Sequence, residues 1–404
     1  MSEREAGVQP KPERGVQATP QDFLPYNLPD ISDVEIDAVV ETLRSGWLAP
    51  GPRVKAFETD FAALAGTKHA IALDSATAGM HLALVSMGIG AGDEVITTPT
   101  TFCASVNVII HAGATPVLAD VRLDDYCLDP DAVERAITPR TKAILPVHHA
   151  GSAVRMRELR TIADKHGLRI IEDAAHGLGT YIDGTHIGRF GDATVFSFYP
   201  TKNVTTGRGG MLTTDDEDLA ARCRLLALHG MSNDAWDRYT ARGSWAYQVL
   251  AAGYNYTMSD FQAALGHAQF GRLDEFQRRR TEIAAEYERR FAKVPELVLP
   301  IERDGSTHAW HLYVVRLRPE RLTLSRDEFI VEMNKRGIGT SVHFIPIHHH
   351  PYYRETYGWA PGDFPASDEA FETMVSLPLY TRMTENAVDR VATAVEEILQ
   401  GHRI

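Results

Sequence analysis

Apolar residues change their spacing several times along the chain, and each change marks an element. From Asp33 the run VEIDAVVETLRSGWL places Val34, Ile36, Val39, Val40 and Leu43 at near-helical intervals, and Ser45-Gly46 stops it. A second helical stretch runs from Val54 to Ala65 and closes at Gly66. The strand-like HAIALDS then leads into ATAGMHLALVSMG, a helix with Ser75 and Thr77 at its start. From there the apolar runs EVITTP, TPVLADV, AILPVHH, LRIIEDA and ATVFSF alternate with segments long enough for crossover helices. This predicts an α/β fold, a mostly parallel sheet covered by helices, with ligand groups gathered where strands end.

Beyond GGMLTTDD the character changes. Residues 216 to 229 read as helix, and 230 to 258 as a loop-rich stretch holding Trp236, Tyr239, Trp245, Tyr254 and Tyr256. A loop of that length inside a compact domain is usually functional. One long helical region is expected from Ser259 to about Ala292, with Arg278 to Arg280 on a solvated face. The remainder reads as a smaller α+β domain: HLYVVRLRP, a helix from Arg326, GIGTSVHFIPIHHHPYY and a last helix from Thr384. The expected division is a polar, disordered tail over 1–20, a large domain over 21–270 and a small domain over 271–404.

Composition narrows the function classes. A chain of 404 residues with 44% hydrophobic and 24% charged residues can bury a large core without staples. Its net charge of -13 argues against general nucleic-acid binding, which needs net basic surface. Cys103, Cys127 and Cys223 form no CxxC pair and give no zinc or iron-sulfur framework; they read as reduced thiols of a cytoplasmic protein. The polar start lacks an apolar leader region, and no run approaches a membrane span.

Three strand ends carry chemistry. In FSFYPTKNVTTGRGG, Lys202 follows an apolar strand, where desolvation lowers an amine's pKa and frees it to condense with an aldehyde. In IIEDAAHG, Asp173 and His176 follow another strand. A carboxylate there can hold the charge of a protonated pyridine nitrogen, as pyridoxal phosphate (PLP) requires, or can simply cap the next helix. Ser75-Ala76-Thr77, at a strand-to-helix junction, offers hydroxyls, backbone N–H groups and a positive helix end to a phosphate monoester. Together these are the three contacts PLP needs. The glycines of GRGG at 207–210 fit a tight turn better than a phosphate cradle. His348, His349 and His350 cannot all face one metal from a regular element, and no metal is expected.

The blocks SATAGMHLAL, TTPTTFCASVNVIIHAGATPVLADV, IIEDAAHGLGTYIDG, FSFYPTKNVTTGRGGM, GYNYTMSDFQAALG, AWHLYVVRL and SLPLYTRMT resemble the signature blocks of the DegT/DnrJ-type sugar aminotransferases. The resemblance runs from about Phe23 to the end. It implies a fold-type I PLP enzyme that moves an amino group from L-glutamate, leaving 2-oxoglutarate, to a nucleotide-linked keto sugar. The likeness is greatest to enzymes acting on UDP-4-keto sugars for surface polysaccharide. By resemblance, Lys202 is the lysine that carries the cofactor, Asp173 the partner of the pyridine nitrogen, and His176 the histidine beside the ring. Ser75, Ala76, Thr77 and Ser197 fall on phosphate-binding positions, and Phe102 on the position that stacks on the ring. Asn255 matches a residue reaching the phosphate of a neighbouring subunit, which implies a homodimer with shared active sites. His343 and the segment 345–353 are expected near substrate.

Several departures fall on the substrate side. Arg208 stands where the family usually has an acid, VHHAGSAVRM replaces VHYAGxPADM, and Thr257 replaces a basic residue after GYNY. They leave open a 3-keto sugar or a carbocyclic keto-inositol as acceptor. Other readings are a PLP-binding regulator without turnover and the family's dehydratase branch; Lys202 argues against the latter, which carries histidine there.

Overall fold

The computed structural model describes residues 23–232 and 247–404. The tail expected over 1–20, together with Trp236, Tyr239 and Trp245, lies outside the described residues. Helix α1 (Asp33–Ser45) opens on a capping box between Ser32 and Glu35 and ends at Gly46, whose φ of 74° suits a residue without Cβ. Helix α2 (Pro52–Ala65) follows, then β1 (His69–Leu73) and α3 (Ala76–Ser86). Next come β2 (Glu94–Thr97), α4 (Ala104–His111), β3 (Thr115–Leu118), α5 (Pro130–Ala136), β4 (Thr141–Leu145), α6 (Met156–His166) and β5 (Arg169–Asp173). The short pair β6 (Tyr181–Ile182) and β7 (Thr185–His186) precedes β8 (Ala193–Ser197), β9 (Gly210–Thr214) and α7 (Glu217–Ala227).

Among the described residues, the central sheet has the order β1-β9-β8-β5-β4-β2-β3. All neighbours from β8 to β3 are parallel, and β9 runs antiparallel to both β8 and β1. The α/β alternation of the sequence therefore builds the expected mostly parallel sheet. Strands β2, β4, β5, β8 and β9 are almost wholly buried because helices cover both faces, so they read as continuous apolar runs. Phe196 and Phe198 in and after β8 pack against Phe57 and Phe61 of α2 at centroid distances of 5.0 to 5.8 Å. Each such ring contributes about 1.5 to 3 kcal/mol by burial. This cluster fixes the strand end from which the Lys202 loop departs.

Helices α8 (Asp260–Phe270) and α9 (Leu273–Phe291) lead into a second, antiparallel sheet of β10 (Leu297–Val298), β12 (Tyr313–Leu317) and β13 (Met374–Leu377). Strand β11 (Ser306–Thr307) pairs instead with β6. The second sheet shares a core with α9, α10 (Arg326–Lys335) and the last helix, while α11 (Pro351–Tyr357) and α12 (Pro365–Thr373) lie between. Helix α13 (Glu385–Gly401) starts at the N-cap Thr384. Among the described residues no helix is long and apolar enough to cross a membrane.

Three local expectations are corrected. The apolar stripe of α1 does not face the core: Val34, Ile36 and Leu43 are at least half exposed, whereas Glu35 is fully buried. Glu35 is held inward by Gln269 Nε2 at 2.9 Å and Arg272 Nη1 at 3.1 Å, which outweigh its polarity. The long helix expected over 259–292 breaks at Gly271-Arg272, where Arg272 leaves helical geometry and bridges Glu35 and Glu275. Arg280 does not lie on a solvated face. It is buried, and its Nη1 donates to the carbonyls of Trp310, Leu379 and His311 at 3.1, 3.3 and 3.4 Å.

Candidate active site

The parallel strands deliver their C-terminal ends to one side of the sheet, and the candidate residues collect there. Asp173, last in β5, is buried, with its Oδ2 2.7 Å from Ser105 Oγ and its Oδ1 3.0 Å from the Ala175 N–H. Burial pushes its carboxyl above the usual range, although Ser105, the Ala175 N–H and the nearby Lys202 all oppose the shift. The Ser105 hydroxyl has one proton to give. It donates to Asp173 and accepts from Thr101 Oγ1 at 2.8 Å.

Lys202 sits in the loop between β8 and β9, with its N–H bonded to the Tyr199 carbonyl at 2.8 Å. The residue keeps part of its surface open, but its amine is densely surrounded. Desolvation outweighs the attraction of Asp173 and pulls the amine from 10.5 down to about 8. His176, His311 and His343 lie near this amine, and His149 lies beside His176, without adding positive charge. Burial holds His176 and His311 well below the ordinary histidine value, His149 near 4 and His343 near 3.

Their hydrogen bonds set the tautomers. His176 Nδ1 accepts from the Ala150 N–H at 3.2 Å, so its proton is on Nε2. Asn203, next to Lys202, donates Nδ2 to the carbonyls of Ala309 at 2.8 Å and Leu178 at 3.4 Å. Its Oδ1 therefore faces His311 Nδ1 at 3.1 Å and accepts from it. His149 donates Nε2 to the carbonyl of His343 at 2.8 Å, and His343 Nδ1 meets Ser376 Oγ at 2.8 Å. His176 and His311 pack with centroids 4.3 Å apart, and Phe344 stacks on His176 at 5.9 Å. Phe102 is exposed and lies 6.0 Å from Phe344, so the two phenyl rings and His176 form one aromatic wall.

The phosphate-binding candidates converge separately. Ser75 is the N-cap of α3, with Oγ accepting from the Ala78 N–H at 3.1 Å and donating to Asp74 Oδ1 at 2.9 Å. Ala76 and Thr77 fill the first helical turn, whose N–H groups have no partner within the helix. Thr77 is exposed and Ser197 half-buried. Gly210 pairs with both Leu73 and Ser197, and it presses so closely on the turn that a Cβ there would lie 2.5 Å from Ala76 N. This draws Ser197 beside the start of α3. Asn255 is exposed, on a segment that bonds Asp74 through the Tyr256 carbonyl at 2.8 Å. Arg208 is exposed, and its carbonyl accepts from Gln262 Nε2 at 2.8 Å.

A buried lysine amine near neutrality, a buried carboxylate and an open helix end bordered by a glycine fit PLP. The family model described as DegT/DnrJ/EryC1/StrS aminotransferase family matches residues 29–396. The chain belongs to that family. It is 50% identical over 380 residues to the spore coat polysaccharide biosynthesis protein SpsC of Bacillus subtilis, covering 94% of this chain and 98% of SpsC. The PMP form of the putative sugar aminotransferase Spr1654 of Streptococcus pneumoniae superposes with a TM-score of 0.89 at 33% identity, covering 94% of this chain and 99% of that one. DesI, solved in the presence of its TDP-sugar product, superposes with a TM-score of 0.84 at 32% identity over 95% of each chain. This DegT/DnrJ/EryC1/StrS member is a PLP-dependent sugar aminotransferase.

Sequence reasoning missed several residues of this neighbourhood: Ser105, Asn203, His311, His149, Phe344 and Gly210. All but Phe344 lie in segments that carry the resemblance or its departures: Ser105 in TTPTTFCASVNVII, His149 in VHHAGSAVRM, Asn203 and Gly210 in FSFYPTKNVTTGRGGM, and His311 in AWHLYVVRL. The bond from Ser105 to Asp173 joins residues 68 apart and has no local signature.

Proposed function

We propose that this enzyme transfers the amino group of L-glutamate to C4 of a nucleotide-linked keto sugar, acting in the cytoplasm as a homodimer with shared active sites. The observation that carries the chemistry is the Lys202 amine, pulled down to about 8 beside the buried Asp173. When bound, PLP supplies an aldehyde that takes up primary amines and a ring that draws electrons from the adjoining carbon. Ser75, Ala76, Thr77 and Ser197 would hold its phosphate. Asp173 would hold a proton at the ring nitrogen, and Ser105 fixes the carboxylate that does so. Phe102 and His176 would orient the ring.

With PLP bound, Lys202 Nζ would be the base that takes the proton from Cα of the donor and the acid that supplies one to the sugar carbon in the second half-reaction. Its depressed pKa suits both directions near neutral pH. The neutral histidines exclude water and leave the amine its base form. His343, four residues before Ile347, belongs to the wall on the substrate side.

The nucleotide and the dimer are supported from different quarters. DesI was solved with a TDP-sugar product, and SpsC is named for polysaccharide biosynthesis. The exposed Asn255 and the outward apolar residues Val34, Ile36 and Leu43 suit a surface covered by a second subunit. Arg208, exposed and standing where the resemblance places an acid, favours an acceptor with an additional anionic group, and the substrate-side departures keep a 3-keto or carbocyclic acceptor as the second reading. The test is glutamate-dependent amination of UDP-, GDP- and dTDP-linked 4-keto sugars, followed by mass spectrometry. Conversion of one of them supports the proposal. Failure of all three, alongside conversion of a keto-inositol or a 3-keto sugar, overturns the substrate assignment.

A further inference from the structure

The turn Ile347–His349 places two consecutive imidazoles on one carboxylate oxygen. His348 Nε2 lies 2.7 Å and His349 Nε2 2.6 Å from Asp368 Oδ1, and the two rings stand 86° apart with centroids at 4.5 Å. The three donor atoms fall within 4.8 Å of one another. His350 takes no part, since its ring turns to Tyr353. The other carboxylate oxygen of Asp368 is occupied by the Gly362 N–H at 2.6 Å, which fixes the group's orientation.

We propose that His348, His349 and Asp368 form a binding site for one divalent transition-metal cation. Two imidazole nitrogens and one carboxylate oxygen, converging from perpendicular rings, are the donor set that zinc, cobalt and nickel prefer over magnesium or calcium. Metal–ligand distances near 2.0 to 2.1 Å put neighbouring ligands about 3.3 Å apart, so the imidazoles need only draw back by roughly 0.6 Å from their present positions. His348 is buried, while His349 and Asp368 keep 21% and 16% of their side chains exposed, leaving one open side for water as a fourth ligand. Asp363 lies close enough to act on His348 and adds negative charge without occupying the site.

Each Nε2 faces Asp368 Oδ1 and so carries a ring proton, which moves to Nδ1 when the nitrogen turns its lone pair to the cation. Nδ1 of His348 has no hydrogen-bond partner among the described residues, which withholds the outer support typical of tight sites. Such support is worth about 10- to 100-fold in affinity, so micromolar rather than nanomolar binding is expected.

The site is tied to the segments that follow β2 and β3. Ile347 N bonds the Pro99 carbonyl at 2.9 Å, Thr100 Oγ1 bonds Ser367 Oγ at 2.8 Å, and Asp120 receives the N–H groups of Ala366 and Ser367 at 3.0 Å. A cation would brace the turn after His343 and Phe344 against α12. The inference does not depend on the sugar substrate.

The test uses PLP-loaded enzyme freed of metal by chelator and titrated with Zn²⁺ against a chromophoric competitor, and separately with Co²⁺. One zinc per chain is expected, together with visible cobalt absorption of four-coordinate type. His349→Gln, at the partly exposed ligand, and Asp368→Asn should each weaken zinc binding by roughly 10-fold or more and abolish the cobalt signal. Folding of each variant is checked by its circular dichroism. Equal zinc affinity in the parent and in the folded His349→Gln variant overturns the proposal and leaves these residues a hydrogen-bonded clamp only.

Discussion

Raising the pH of the cofactor-free enzyme through 8 should switch on the amine of Lys202. An ordinary lysine at 10.5 keeps about 0.03% of its amine unprotonated at pH 7, whereas an amine at about 8 keeps about 9%. The gain in reactive amine at neutrality is roughly 300-fold. The sign follows from the cause: burial penalises the charged form, so the neutral form accumulates above about 8 instead of above 10.5, and the Asp173 carboxylate works against this. Stopped-flow capture of PLP should therefore accelerate about tenfold per pH unit below 8 and level off above it. In Asp173→Asn the opposing charge is gone, and the inflection should move to lower pH. Ionisations of PLP itself are common to both proteins, so the difference between the profiles belongs to the chain. A rate still climbing tenfold per unit above about pH 9.5, or an Asp173→Asn inflection displaced upward, would refute the reasoning.

Other perturbations probe the supporting residues. Ser105→Ala removes a 2.7 Å bond to a buried carboxylate, a loss of about 1.5 to 3 kcal/mol, and should weaken PLP binding by roughly 10- to 150-fold in a fluorescence titration; parent affinity would count against the role of Ser105. Gly210→Ala puts a Cβ 2.5 Å from Ala76 N, an overpacking cost of about 1 to 3 kcal/mol, and should erode the preference for PLP over phosphate-free pyridoxal. An unchanged preference would separate Gly210 from phosphate binding. Glu172→Ala strips the fully buried His148 of its partner at 2.9 Å and also leaves the Gly191 N–H and the Thr194 hydroxyl unpaired. It should cost about 3 to 5 kcal/mol, visible as a large drop in thermal midpoint, and a midpoint within a degree or two of the parent would show that the site relaxes.

The sheet was legible because its strands are buried on both faces and separated by crossover segments, so each appears as a bounded apolar run. The three strand-end groups were legible for a related reason: Asp173, Lys202 and Ser75 are polar residues placed where such runs stop. What escaped depends on contacts between distant segments. The outward turn of α1 follows from the pull of Gln269 and Arg272 on Glu35, and apolar spacing alone points to the opposite face. Arg280 reads as one of three surface arginines, yet three backbone carbonyls of two other segments draw it into the core. Ser105, Asn203 and His311 acquire their neighbours only when β5, the lysine loop and the segment before β12 meet. Consecutive histidines cannot share a metal on a regular element, but the tight turn Ile347–His349 directs two of them to Asp368.

The account rests on Lys202 as the residue that carries the cofactor, and chemical trapping tests it most directly. The PLP-loaded enzyme is reduced with borohydride, digested and mapped by mass spectrometry, with a second sample first exposed to excess L-glutamate. The account predicts one pyridoxyl tag on the peptide containing Lys202 in the first sample and its loss in the second. A tag on another lysine, or a Lys202→Ala protein that transaminates at the parent rate, would contradict it.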